Sequence, residues 1–339
     1  MIVDVQCHIF PKSFIAELSS PKSQLRVMPP DATGRRVIID SRTNDEVTFF
    51  VDNSCYVDTD AHVRDMQHFK IDKQVLSLPT PSVDKISDPD VAFRISMLIN
   101  NEISGMVRKY PDKFLGFATI PMNDPTLATR EIRRVVTDLG FKGVVISSNT
   151  QGKFYDGEEY DSVFETLERL RVPVFVHPTE PVTGKQIGQD YKLTLIFGWP
   201  FDTTLSVSRL VFSGLLEKYP DLKIIAAHGG GMIPFFAGRI EMLARVAAGG
   251  GKMISVERPA DAFKKLYYDA AFFNSDSLEL LAKFAGPEHI LYASDYPFGQ
   301  NLGKNCYEQS IAMMENARLD SVAKDKIYGT NILSLLNVH

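Results

Sequence analysis

Four side chains lie far apart along the chain yet share one setting. His8, His177, His228 and Asp295 each close a short apolar run, in MIVDVQCH, VPVFVH, KIIAAH and HILYASD. Imidazole nitrogens and a carboxylate are ligands for divalent transition metals, zinc first and manganese or iron behind it. An imidazole also titrates near neutrality, so it can take up and return a proton during a reaction. Any one of these histidines is more often a satisfied structural residue than a ligand. Three of them and an aspartate in matching positions point to one metal site; the alternative is a hydrogen-bonded polar pocket without an ion. The other histidines do not fit: His62 and His68 share no helical face, His289 precedes its run, and His339 ends the chain.

The elements that would gather these residues are legible as apolar, β-branched runs. They occupy residues 1–6, 73–80, 114–121, 143–148, 172–178, 223–230, 265–272 and 289–297. Nearly continuous hydrophobicity over so few residues suits strands buried on both faces. The segments between them are helical in spacing. In DVAFRISMLINNEISGMVRKY, Val91, Ile95, Leu98, Glu102 and Met106 form a stripe broken only by the glutamate, and Asp124-Pro125 and Asp202 are helix starts. Eight strand–helix units predict a (β/α)8 TIM barrel, a single domain over residues 1–339. An open doubly wound sheet would need a phosphate fingerprint, and neither GxGxxG nor GxxxxGK[ST] occurs.

A barrel sorts its polar residues: those at C-terminal strand ends face the catalytic mouth, those at strand starts the bottom. His8, His177, His228 and Asp295 fall at the ends of strands one, five, six and eight, and His289 at the bottom. Residues 12–58 interrupt the alternation. There RRVIID and EVTFFV flank the turn SRTND, which predicts a β-hairpin, and an insertion after strand one caps the mouth. AGGGK at 248–252 reads as a loose loop.

A net charge of −5 and a pI near 5.8 argue against a nucleic-acid partner. Cys7, Cys55 and Cys306 have no CxxC spacing, so free, buried thiols are expected. No apolar stretch approaches the length of a membrane span and no leader pattern opens the chain, so the expectation is a soluble cytoplasmic protein.

HIFP, FVHP, AAHGGGMIPFFAGRI and ASDYPFG, in this order, resemble the metal-dependent decarboxylases of the amidohydrolase superfamily. The likeness is strongest to the aminocarboxymuconate-semialdehyde decarboxylases and weaker to the resorcylate and carboxyvanillate decarboxylases. It runs from residue 1 to beyond residue 300, with residues 12–58 loosely matched. HGGG also occurs in lipase oxyanion holes, but no GxSxG accompanies it. The resemblance implies that His8, His177 and Asp295 ligate a divalent metal, most simply Zn2+, with Mn2+ or Fe2+ as alternatives. It makes His228 the acid/base group beside the metal's water. It makes Arg239 a carboxylate-binding residue reaching into a neighbouring subunit's pocket, and hence the protein a homodimer. Phe298 becomes a pocket wall. A plain packing role serves Arg239 or Phe298 equally well as a reading of the residues alone.

Two positions depart from that pattern. Gln6 stands where the family carries His or Glu; its neutral amide is a weak or absent ligand, although three strong ligands suffice for a catalytic site. Asp52 stands where the semialdehyde decarboxylases place a substrate-binding arginine, and a carboxylate there repels a dicarboxylate. The expected activity is decarboxylation of a small unsaturated or aromatic carboxylic acid. The same parts would serve a hydrolase or hydratase acting on a lactone, amide or unsaturated acid, with Asp295 taking the proton. A third reading is a non-catalytic relative that lost its metal at Gln6.

Overall fold

The structure is a computed structural model that describes all residues except 21–22, 42–45, 53, 185–189, 245, 247–252 and 339. The centre of the SRTND turn, the 248–252 loop and His339 therefore lie outside the described residues. β1 (Val3–His8) is buried at every position. After it come β2 (Leu25–Val27), β3 (Arg35–Asp40) and β4 (Glu46–Val51), which form a separate antiparallel sheet. β5 (Lys73–Ser77), β6 (Phe114–Thr119), β7 (Gly143–Ser147), β8 (Val174–His177), β9 (Ile224–Ala226), β10 (Tyr267–Asp269) and β11 (Ile290–Leu291) follow, with helices between them. These seven strands and β1 pair in parallel, in chain order. The cylinder closes where Val5 N–H donates to Tyr292 O at 3.0 Å and His8 N–H to Tyr296 O at 2.8 Å.

The expected barrel and the hairpin β3–β4 are present, the hairpin at the expected residues. The third strand of the cap, β2, and a helix at Lys12–Leu18 were not anticipated. Several barrel strands are shorter than their apolar runs. β9 stops at Ala226 and β11 at Leu291, so His228 and Asp295 sit in the turns beyond the strands rather than at their last residues. Both residues have left-handed backbone, φ +53° and +60°, a conformation no strand residue adopts.

Two helical expectations need correction. In the helix Pro89–Lys109 the buried face runs through Ala92, Ile95, Ser96, Ile99, Asn100 and Ile103, and the expected stripe lies at its edge. Glu102 does not break a core; its carboxylate accepts the Lys12 and Ser13 amides at 2.7 and 2.9 Å, at the start of the Lys12–Leu18 helix. Asp124 caps Pro125–Thr137 as expected, accepting from Leu127 N–H. Asp202 is no cap: its helix starts at Trp199, and its carboxylate instead binds Ser148, Asn149 and the Val182 amide.

The barrel interior is filled by a compact cluster that includes Val3, Val5, Val75, Phe117, Val145, Phe175, Ile225 and Leu291. A larger apolar layer lies outside it and includes Cys7. Strand alternation should put Gln6 on the opposite side from Val5. The register of β1 against β5 shifts between Asp4 and Cys7, so that Val5 and Gln6 together oppose Val75. This is a β-bulge, and it reverses the alternation. Gln6 and His8 thereby both turn toward the mouth, while Cys7 points outward to Tyr307.

Asp4 fastens that bulge to the last strand. Its carboxylate accepts the Gln6 amide at 3.3 Å, the Ser294 amide at 3.0 Å and the Ser294 hydroxyl. Burial pushes the Asp4 carboxyl up to about 6 from an ordinary 3.8. The native state thus binds more protons than the unfolded chain between those values, so this group's contribution to stability falls as pH rises through 6. Asp4→Asn removes that dependence. In urea denaturation of chelator-treated protein, the stability of Asp4→Asn relative to wild type should rise from pH 4 to pH 7. A flat difference would contradict the assignment.

Candidate active site

His8, His177 and Asp295 each present a ligand atom within 4.8 Å of the other two. His8 and His177 are carried by the last residues of β1 and β8, and Asp295 by the turn after β11. The tautomers follow from the neighbours. His177 Nδ1 lies 3.0 Å from the Pro178 carbonyl, which can only accept, so Nδ1 carries the hydrogen and Nε2 a lone pair. Ser77 Oγ–H donates to Cys7 O at 3.4 Å, which leaves Oγ to accept from His8 Nδ1–H at 3.2 Å. His8 Nε2 therefore also faces inward bare, 3.2 Å from Asp295 Oδ1. Burial, followed by the charges of His8 and His228, holds His177 well below the usual imidazole range. Two lone pairs and a carboxylate oxygen converging in this way repel one another unless something positive stands between them.

Gln6 is fully buried at the centre of this group. Its Nε2 lies 3.1 Å from Asp295 Oδ1 and 3.3 Å from both His177 Nε2 and His228 Nε2. Its Oε1 is buried with no partner among the described residues. An amide has two N–H donors, so it cannot satisfy three acceptors. Rotation of the amide by half a turn would aim Oε1 at the same centre.

His228 joins the cluster from the HGGG turn, its ring 6.0 Å from that of His177. Burial lowers its pKa below the usual imidazole range, partly offset by Asp295. Its Nδ1 is buried without a partner among the described residues. The glycines after it are required by space: a Cβ on Gly231, at φ +61°, would lie 2.2 Å from Pro200 O.

A cleft opens over these residues, lined by His8, His177, His228 and Asp295 together with Thr48, Pro79, Thr80, Trp199 and Phe298. Phe298 is both wall and packing: its ring meets His8 edge-on at 5.8 Å and Tyr56 at 5.5 Å. Arg239 is exposed on the helix Ile233–Leu243 and is not among the cleft residues. Asp52 does not line the cleft either; it pairs with Arg36 of the neighbouring strand, so its charge is compensated within the cap. Among the described residues of the 12–58 insertion, Thr48 reaches the cleft. Thr48 and Trp199 escaped the sequence reading. Alternation in EVTFFV separates two faces without saying which faces the pocket, and a lone tryptophan carries no spacing signal.

The remaining expected groups are structural. His62 is buried, bonded to Gln74 Oε1 and Cys55 O, each at 2.7 Å. His289 meets Leu266 O below β11. All three cysteines are free and buried.

The Amidohydrolase family matches residues 3–338. The 2-amino-3-carboxymuconate-6-semialdehyde decarboxylase of Dictyostelium discoideum is 28% identical, over 99% of this chain and 91% of that protein. The gamma-resorcylate decarboxylase of a Polaromonas strain is 30% identical, over 83% and 87%. Among solved structures, a Polaromonas dihydroxybenzoic acid decarboxylase with bound manganese and 2-nitroresorcinol superposes with a TM-score of 0.80 at 25% identity, covering 99% of this chain and 96% of that one. An apo IDCase from Metarhizium anisopliae shares the fold, with a TM-score of 0.84 at 22% identity. A family match spanning nearly the whole chain, on a barrel that gathers two histidines and an aspartate at its mouth, places this protein in the amidohydrolase family.

Proposed function

We propose that the chain is a metal-dependent decarboxylase, a carboxy-lyase acting on a small aromatic or unsaturated carboxylic acid. The observation that carries the reading is the cluster of His8, His177 and Asp295, whose ligand atoms converge within 4.8 Å of one another with only the Gln6 amide between them. That donor set fits a divalent ion, zinc first by its mix of nitrogen and carboxylate, with manganese or iron also suited. Gln6 would add a weak fourth contact through Oε1 after rotation of its amide.

When bound, the metal supplies positive charge against which the electrons left by departing CO2 are stabilised. The chain's own residues do the rest. His228, beside the cluster, delivers a proton to the carbon that loses CO2 and regains it from solvent. Phe298 and Trp199 flank a flat substrate, and Thr48 offers a hydroxyl from the cap. Residues 12–58 act as that cap within a single barrel domain. Arg239 would serve the pocket of a second copy. Phe235, Phe236, Met242 and Leu243 on its helix, and Leu195, Ile196 and Phe197 nearby, are exposed apolar residues that support a homodimer. No helix among the described residues is long and apolar enough to cross a membrane, and a cytoplasmic setting belongs to the same proposal.

Elemental analysis of purified protein should find about one equivalent of a transition metal, and His177→Ala should hold less than about a tenth of that. His228→Asn should keep the metal and release CO2 from phenolic or unsaturated acids at least about 100-fold more slowly. Full turnover by that variant would remove His228 from the reaction, and lactone cleavage without gas would favour the hydrolase. None of the described cleft residues is Arg or Lys, which leaves a single guanidinium, Arg239 of a second copy, to meet a carboxylate, so monocarboxylic acids should turn over better than dicarboxylic ones. Thr48→Arg should narrow or reverse that preference; an unchanged ratio would place the substrate's far end away from the cap.

A further inference from the structure

β9 and β10 pair only as far as Ala226 opposite Tyr268. Beyond this the chain turns left-handed at His228, and the His228 amide has no strand to bond to. It donates instead to a side chain: Asp269 Oδ1 accepts it at 2.7 Å and accepts the Ala271 amide at 3.1 Å. Asp269 is fully buried, and its Oδ2 has no partner among the described residues. A buried carboxyl is an expensive way to satisfy two amides unless their position matters.

We propose that Asp269 is a positioning residue for His228, holding the left-handed turn so that the imidazole is fixed against the metal cluster. The inference rests on the reading of His228 as the proton carrier. One oxygen grips the residue itself and the turn after β10, so the imidazole's anchor is tied to two adjacent strand ends. A displacement of about 1 Å at such a group costs on the order of 100-fold in rate. Burial pushes the Asp269 carboxyl up to about 8, so near neutral pH it is an uncharged acid of the same shape as asparagine. Asparagine keeps the accepting Oδ1; alanine does not.

The experiment compares Asp269→Ala and Asp269→Asn in the metal-loaded protein, alone and combined with His228→Asn, with kcat, KM and metal content measured for each. Asp269→Ala should lower kcat about 10- to 100-fold, with KM within about threefold of wild type and metal content unchanged. Asp269→Asn should retain at least about a third of kcat. In the His228→Asn background, Asp269→Ala should have little further effect, because the group it positions is gone. Should the alanine variant fail to fold, Asp269→Ser, too short to reach both amides, is expected to show the same loss. The proposal is overturned if Asp269→Ala or Asp269→Ser turns over normally, if Asp269→Asn is as impaired as they are, or if the losses with His228→Asn simply multiply. If His228→Asn alone is fully active, the reading of His228 has failed instead.

Discussion

The site is organised by a repulsion. Two imidazole lone pairs and a carboxylate are held within 4.8 Å of one another, at ends of strands that cannot relax apart without opening the barrel. The backbone enforces the orientation: a carbonyl fixes His177, a serine hydroxyl fixes His8, and left-handed turns aim Asp295 and His228 inward. An isolated non-glycine residue in that conformation costs about 1 kcal/mol, and two occur together here. Strain of this kind persists only where the surroundings over-determine it. Here the closed strand ladder, the Asp4 and Asp269 carboxyls and the glycine turn do so.

Much of this was legible in the sequence, for a physical reason. Strands buried on both faces must be apolar throughout, so the eight runs stood out, and polar residues at their ends stood out against them. His8, His177, His228 and Asp295 were found in that way and the structure brings them together. What stayed hidden depends on geometry with no sequence period. The β1 bulge adds one residue and leaves no mark in VDVQCH, yet it alone puts Gln6 and His8 on the same side of the strand as Val3 and Val5. Thr48 reaches the cleft through the fold of the 12–58 insertion, and Trp199 as the first residue of its helix. The helix stripe through Leu98 and Met106 lies beside the buried face, which includes the small or polar residues Ala92, Ser96 and Asn100 that an apolar count passes over.

Gln6 and Asp52, the two departures from the family pattern, turn out differently. Asp52 pairs with Arg36 and is not among the residues that line the cleft. Gln6 sits at the centre, able to present either a donor or an acceptor to the same point. A histidine or glutamate there would commit the site to binding cations. The amide leaves the commitment to the other three residues.

Asp4 and Ser294 are bonded across 290 residues of chain. The barrel's first strand therefore cannot complete its role until its last one is in place, since the bulge that aims Gln6 is fastened by the closing strand. Contacts of such long sequence separation form late and slowly. Ligand capture should then be a property of the finished cylinder alone, and nascent or C-terminally shortened chains would carry His8 and His177 without the means to seize an ion.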